Sequence, residues 1–107
     1  MSRKIGGKVM VYYVYILKCE NRKSGRESLY TGSTQDLKKR IDQHQKGQGA
    51  KYTRGKNLQL MYFETFLTRS KAMKREYEIK TFSPDQKWAL VNEFQNTLEQ
   101  ATENPKE

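Results

Sequence analysis

Five side chains stand out because packing alone does not account for them: Tyr15, Tyr30, Arg40, His44 and Glu76. Glu76 lies four residues after Ala72 and three before Ile79, on a helix whose inner side is marked by Ala72, Met73, Tyr77 and Ile79. A carboxylate on that stripe is costly unless a cation holds it. By position alone, an ion pair with one of the many Lys or Arg side chains is the better account; a metal ion is the other. Arg40 and His44 are four apart on an earlier helix, so their tips can converge beside its core-facing stripe. A guanidinium there suits bidentate phosphate recognition. Arg40 also belongs to the run Lys38-Lys39-Arg40, for which solvated charge is the better account without further context, and His44 by itself reads as an ordinary exposed helix histidine. Tyr13 and Tyr15 face one side of a strand and Tyr12 the other. Tyr30 sits on the next strand, so two phenols could meet across a hairpin, as they would in a plain cross-strand aromatic pair. Gly32 marks a close backbone approach or a turn.

The elements that must position these groups follow from periodicity and punctuation. Residues 9–17 form a β-branched and aromatic run, expected to be a strand covered on both faces. Residues 20–27 are a charged connection, expected to be mobile. Residues 28–32 make a second strand, hairpinned to the first. Thr34 is expected to cap a helix with Asp36 in its first turn, Leu37 and Ile41 inward, and Gly47 and Gly49 at its end. A third strand alternates over 58–66. Thr68 opens a helix over roughly 69–82. Ser83, Pro84 and Gln86 then form a capping box for a last helix carrying Leu90, Val91, Phe94 and Leu98 on one face. The expected fold is α+β: a small three-stranded mixed or antiparallel sheet with about three helices, in the order β-β-α-β-α-α. Residues 1–8 read as a flexible arm, 9–98 as one domain and 99–107 as a frayed acidic tail.

Charge narrows the partners. The net charge is +9, and residues 1–90 hold 20 Lys and Arg against 8 Asp and Glu, whereas residues 91–107 hold one Lys against 4 Glu. A basic domain of this kind attracts polyanions, nucleic acid foremost. One cysteine, Cys19, excludes an internal disulfide and a four-cysteine zinc site, and fits a reducing compartment. No apolar run approaches the ~20 residues of a membrane span. The chain is expected to be cytoplasmic and to need no membrane.

Taken together and in order, these residues resemble the GIY-YIG nuclease family, over about residues 9–95. Its first motif corresponds to Tyr13-Val14-Tyr15, with Tyr and Val in place of Gly and Ile, and its second to Tyr30-Thr31-Gly32. Arg40 follows ten residues after Tyr30, where the family places its helix arginine, and the acidic residue is Glu76 within Arg75-Glu76-Tyr77-Glu78-Ile79-Lys80. The chain is most similar to the small stand-alone bacterial branch, through Tyr-Val-Tyr-Ile-Leu-Lys-Cys, Leu-Tyr-Thr-Gly-Ser-Thr and Gly-Ala-Lys-Tyr-Thr-Arg-Gly. Position 33 is Ser, where some members have Lys, and no counterpart of the separate DNA-binding domain of repair and homing relatives is expected.

The resemblance implies a metal-dependent endonuclease that hydrolyses phosphodiester bonds, with DNA favoured over RNA, in DNA repair or processing. It implies one divalent cation, Mg²⁺ or Mn²⁺, on Glu76. Arg40 would grip the non-bridging oxygens, and Tyr15 and Tyr30 would flank the attacking water, one of them as general base. A free phenol has a pKa of about 10, so a neighbour among Lys18, Arg40, His44 and the metal must ease its deprotonation; His44 could act as a relay. Lys51, Arg54 and Lys56 around Tyr52, with Lys18, are expected to hold the nucleic acid, Tyr52 by stacking on a base. Arg22, Lys23 and Arg26 could do likewise. A protein partner would supply specificity. Two other readings compete: a non-catalytic nucleic-acid-binding module on the same fold, and a basic structural component of a ribonucleoprotein.

Overall fold

The computed structural model describes residues 9–103; the arm read at 1–8 and the last four residues of the tail lie outside it. Strand β1 (Tyr12–Asn21) is central, with β2 (Glu27–Thr34) and β3 (Lys56–Phe66) antiparallel on either side, in the order β2-β1-β3. Helices α1 (Leu37–Gln45), α2 (Arg69–Lys80) and α3 (Pro84–Glu103) complete the order β-β-α-β-α-α, and a single 3₁₀ turn covers Lys51–Thr53. The α+β architecture expected from periodicity is the one found, and every strand pair is antiparallel.

The apolar run of β1 is buried on both faces because helices lie on both. One core joins Val14 and Ile16 to Tyr62, Ala72, Ile79 and Val91, with Trp88 and Phe94 packed against it, so α2 and α3 cover that face. The other joins Tyr15, Leu17 and Cys19 to Tyr30, Leu37, Ile41, Leu58 and Leu60, so α1 covers the opposite face. A bulge in β3 opposite Ile16/Leu17 shifts its register.

Local signals set several element ends. The Thr68 side chain accepts from the Lys71 N–H at the start of α2. The Ser83 N–H donates to Gln86 Oε1 at 2.8 Å while the Gln86 N–H donates to Ser83 Oγ at 3.2 Å, the reciprocal capping box. Other ends differ from expectation. Asp36, not Thr34, caps α1, accepting from the Lys39 N–H, while Thr34 ends β2. The charged connection at 20–27 is mostly hairpin: β1 runs to Asn21 and β2 starts at Glu27. Asn21 closes the turn, its side chain accepting from the Lys23 and Ser24 N–H groups and its carbonyl from Gly25, whose φ of +75° suits glycine. On α2, Met73 and Tyr77 are 52% and 73% exposed, so they are not on the inner side. The helix meets the sheet through a narrow stripe, Ala72 and Ile79, with Arg75 and Glu76 at its margin. Leu98 is exposed too, and α3 continues through Glu103, so residues 99–103 of the supposed frayed tail are helical.

Candidate active site

The site forms at the β2 edge, where β1, β2, α1 and α2 deliver side chains to one another. Register places Tyr15 opposite Gly32 and Leu17 opposite Tyr30, which makes the two phenols diagonal neighbours on the α1 face. Their ring centroids are 6.5 Å apart. Gly32 is required by this arrangement: a Cβ there would lie 2.5 Å from the Tyr15 hydroxyl and 2.7 Å from Cζ. The missing side chain is the space the phenol occupies.

Helix α1 brings His44 against both rings, with centroids 6.0 Å from Tyr15 and 5.3 Å from Tyr30. His44 is not an exposed helix histidine; it is 1% exposed. The loop after α1 folds back over it, so Gly49 lies where a Cβ would be 2.3 Å from Nδ1. Its Nε2 is hydrogen-bonded to the Tyr15 hydroxyl at 2.9 Å and its Nδ1 to Thr53 Oγ1 at 2.8 Å. In the sequence Gly49 reads only as a helix end and Thr53 only as part of a motif. Nothing in residue type or spacing pointed to either, because both contacts depend on how a loop returns.

The electrostatics separate the two ring systems. Burial pushes the Tyr15 phenol up to about 12, against the Arg40 guanidinium beside it, which lowers it; Tyr30 and Glu76 add to the rise. Burial, then Arg40, holds the His44 ring below its ordinary value of 6.5. His44 is therefore neutral at pH 7, with one nitrogen free to accept a proton. The Tyr30 hydroxyl, by contrast, has no hydrogen-bond partner among the described residues and is partly exposed. Arg40 stands beside the Tyr15 phenol, donates to Gln43 Oε1 at 3.2 Å, and lines an open polar groove of about 410 Å³ with Ser33, Thr34 and Lys39.

Glu76 approaches the same strand edge from α2. Its Oε1 accepts from the Ser33 hydroxyl at 2.6 Å and its Oε2 pairs with Lys80 at 2.8 Å. The ion pair favoured by position alone is thus present. Ser33, noted only as a replacement for Lys, orients the carboxylate. Among the described residues no three His, Cys, Asp or Glu side chains cluster as a metal cage. Glu76 alone still fits a Mg²⁺-type ion, which takes one or two carboxylates and keeps its waters. The Lys80 ammonium already shows that the free oxygen accepts a cation. That ammonium is half-exposed and joined by a surface i,i+4 pair, which is cheap to break.

The basic segments divide. Tyr52 packs beside the site: its ring stacks on Tyr30 at 6.2 Å, its hydroxyl donates to Ser28 Oγ, and the Lys56 ammonium sits 3.6 Å from its centroid. A base could stack on Tyr52 only by displacing one of these neighbours. Lys51 and Arg54 are exposed on the same turn. Arg22 of the hairpin bonds to Asn57 at the start of β3. Lys18 is not brought to the site. Strand alternation turns it to the face opposite Tyr15, where it pairs with Glu27 at 3.4 Å.

Comparison with known proteins gives the family. The family described as "GIY-YIG catalytic domain" matches residues 11–87. A UPF0213 protein of Staphylococcus saprophyticus is 54% identical over 83 residues, 77% of this chain and 95% of its own length. One from Haloquadratum walsbyi is 48% identical over 83 residues, 77% of this chain and 88% of its own. The solution NMR structure of a UPF0213 protein from Bacillus halodurans is 44% identical, covers 78% of this chain and 84% of that one, and superposes with a TM-score of 0.46. None of these three names states an activity. No helix among the described residues is long and apolar enough to cross a membrane. The match to residues 11–87, together with these identities, establishes that the chain belongs to the GIY-YIG catalytic-domain family.

Proposed function

We propose that this protein is an endonuclease that hydrolyses phosphodiester bonds in DNA. The observation that carries the reading is the hydrogen bond between the Tyr15 hydroxyl and His44 Nε2. With a pKa of about 12, Tyr15 is ionised in only roughly one molecule in 10⁵ at pH 7. It can act as a base only by handing on its own proton as it takes another, and a neutral imidazole is in place to receive it. The phenol oxygen takes a proton from the attacking water, the phenol proton passes to Nε2, and the water oxygen bonds to phosphorus. The bond from phosphorus to the 3′ oxygen breaks, and that oxygen takes a proton from solvent.

Arg40 donates two hydrogen bonds to the non-bridging oxygens, whose charge grows in the transition state. The unpartnered Tyr30 hydroxyl orients the water. Glu76, held by Ser33, would bind the divalent cation, which supplies charge neutralisation at the leaving oxygen. Lys51, Arg54 and Lys56 hold the backbone through contacts that are sequence-independent and weaken steeply with salt. A binding module without cleavage is favoured by one observation, the Lys80 ammonium on Glu76.

Cleavage of labelled linear, branched and single-stranded DNA, and of RNA, with Mg²⁺ or Mn²⁺ separates the two. Cutting by wild type that is lost in Glu76→Gln and with chelator supports the nuclease. Salt-sensitive binding by both proteins with no cutting supports the module.

A further inference from the structure

We infer that Thr53 is a positioning residue, which holds His44 in the tautomer whose Nε2 carries no proton and can therefore accept the one from Tyr15. The inference rests on the proposed role of His44 as proton acceptor, and it follows from counting protons around one buried hydroxyl. Thr53 is 0% exposed, so the partners of Oγ1 must come from inside the protein. There are two. Oγ1 lies 2.9 Å from the Ala50 carbonyl oxygen and 2.8 Å from His44 Nδ1. A carbonyl can only accept, so the single Thr53 proton goes to Ala50. The contact with Nδ1 then needs its proton from the ring, which places it on Nδ1 and leaves Nε2 bare. The Tyr15 hydroxyl, 2.9 Å away, donates to that bare nitrogen.

The chain of donors therefore runs one way, from Tyr15 through His44 and Thr53 to the Ala50 carbonyl. One neighbour opposes it. The Ala50 N–H faces Nδ1, but at 3.4 Å, beyond the usual 2.7–3.2 Å of an N–H donor bond. The turn is built for the chain. The Thr53 N–H also donates to the Ala50 carbonyl, at 3.1 Å, which pins Thr53 from two atoms, and Gly49 leaves room for the ring. Both histidine nitrogens are engaged, so the ring cannot flip without losing both bonds.

His44 is the one histidine in the chain, so ring nitrogen signals from ¹⁵N-histidine-labelled protein need no assignment. At pH 7.5 the wild-type spectrum is expected to show a protonated Nδ1 and an unprotonated Nε2. Thr53→Val, which keeps the shape and removes the hydroxyl, should move the proton toward Nε2. It should also slow single-turnover cleavage by about ten- to a hundredfold, the scale on which losing the partner of a metal-bound histidine acts. Thr53→Ser should restore both, and melting curves confirm that each variant is folded. A wild-type ring protonated on Nε2, or a Thr53→Val ring still protonated on Nδ1, overturns the inference. A tautomer shift as expected in a wild-type protein that cuts nothing upholds the assignment to Thr53 and refutes the nuclease reading instead.

Discussion

Gly32→Ala should slow cleavage on the order of 10²-fold while leaving a folded protein, and the size of both effects follows from the packing. The new Cβ would lie 2.5 Å from the Tyr15 hydroxyl, where ordinary contact begins at 3.4 Å, so the phenol must retreat by about 0.9 Å. It has little room to do so, being 1% exposed between β2 and α1. A retreat of that size stretches or breaks the 2.9 Å bond to His44. Misplacing a reacting group by about 1 Å costs on the order of 10²-fold in rate. Overpacking adds a stability loss of about 1–3 kcal/mol, seen as a fall in Tm of about 4–8 °C for each kcal/mol. Gly25→Ala is the matched control. It strains a backbone at φ +75° with nothing within 4 Å of the new methyl, at a cost of about 1–2 kcal/mol, far from the site. Single-turnover cleavage and thermal melts of both variants measure the two terms. If Gly32→Ala cuts like wild type, or loses only what Gly25→Ala loses, the reasoning about the Tyr15 phenol is wrong.

Cleavage should fall as pH drops below about 6.5, through the depressed pKa of His44, because the protonated ring can no longer accept from Tyr15. The same shift makes stability rise with pH between that depressed value and the unfolded one, since the unfolded chain binds the proton more readily there; denaturant titrations across pH 4–8 (about the range that brackets it) check the sign. Tyr15 acts at the other end. Its pKa is raised to about 12, so its contribution is complete below the unfolded value near 10 and is lost as pH rises through the folded one, visible as phenolate absorbance appearing with unfolding. Lys80→Ala removes the ammonium that shares Glu76 and should lower the Mg²⁺ concentration for half-maximal rate by about twofold, the worth of a surface i,i+4 pair; an unchanged metal requirement would dissociate Glu76 from the metal. Replacing Lys51 and Arg54 together with Gln should reduce the slope of log affinity against log salt by about 1.8, at roughly 0.9 per phosphate contact on duplex DNA. Fluorescence anisotropy in chelator reads it, and an unaltered slope would remove this loop from the interface.

The elements were legible in the sequence because their causes are local. Strand β1 announced its double burial through an unbroken apolar run, and the Ser83–Gln86 box announced the start of α3 through four adjacent residues. Of the two readings of Gly32, a close approach or a turn, the structure carries the close approach, since glycine inside a strand implies something near it. Periodicity was less reliable for α2. Spacing runs an apolar stripe through Met73 and Tyr77, but a helix of 12 residues touches the sheet through Ala72 and Ile79, and the large apolar side chains beside them are left in solvent.

The amino-acid sequence by itself thus supplied the candidate groups, two phenols, a guanidinium, an imidazole and a carboxylate, and the elements that carry them. Only the tertiary structure decided how these groups are connected. Ser33 and Glu76 are 43 residues apart and meet because α2 lies against the β2 edge. Tyr15 and His44 are 29 apart and meet because α1 covers the other face of the sheet. Thr53 reaches His44 because the loop after α1 folds back onto it, and Lys18 is lost to the opposite face by strand alternation. Periodicity tells which side of an element a residue occupies. Which groups share that side, and so which nitrogen of His44 bears the proton, depends on contacts between segments far apart in the chain, set by topology and register.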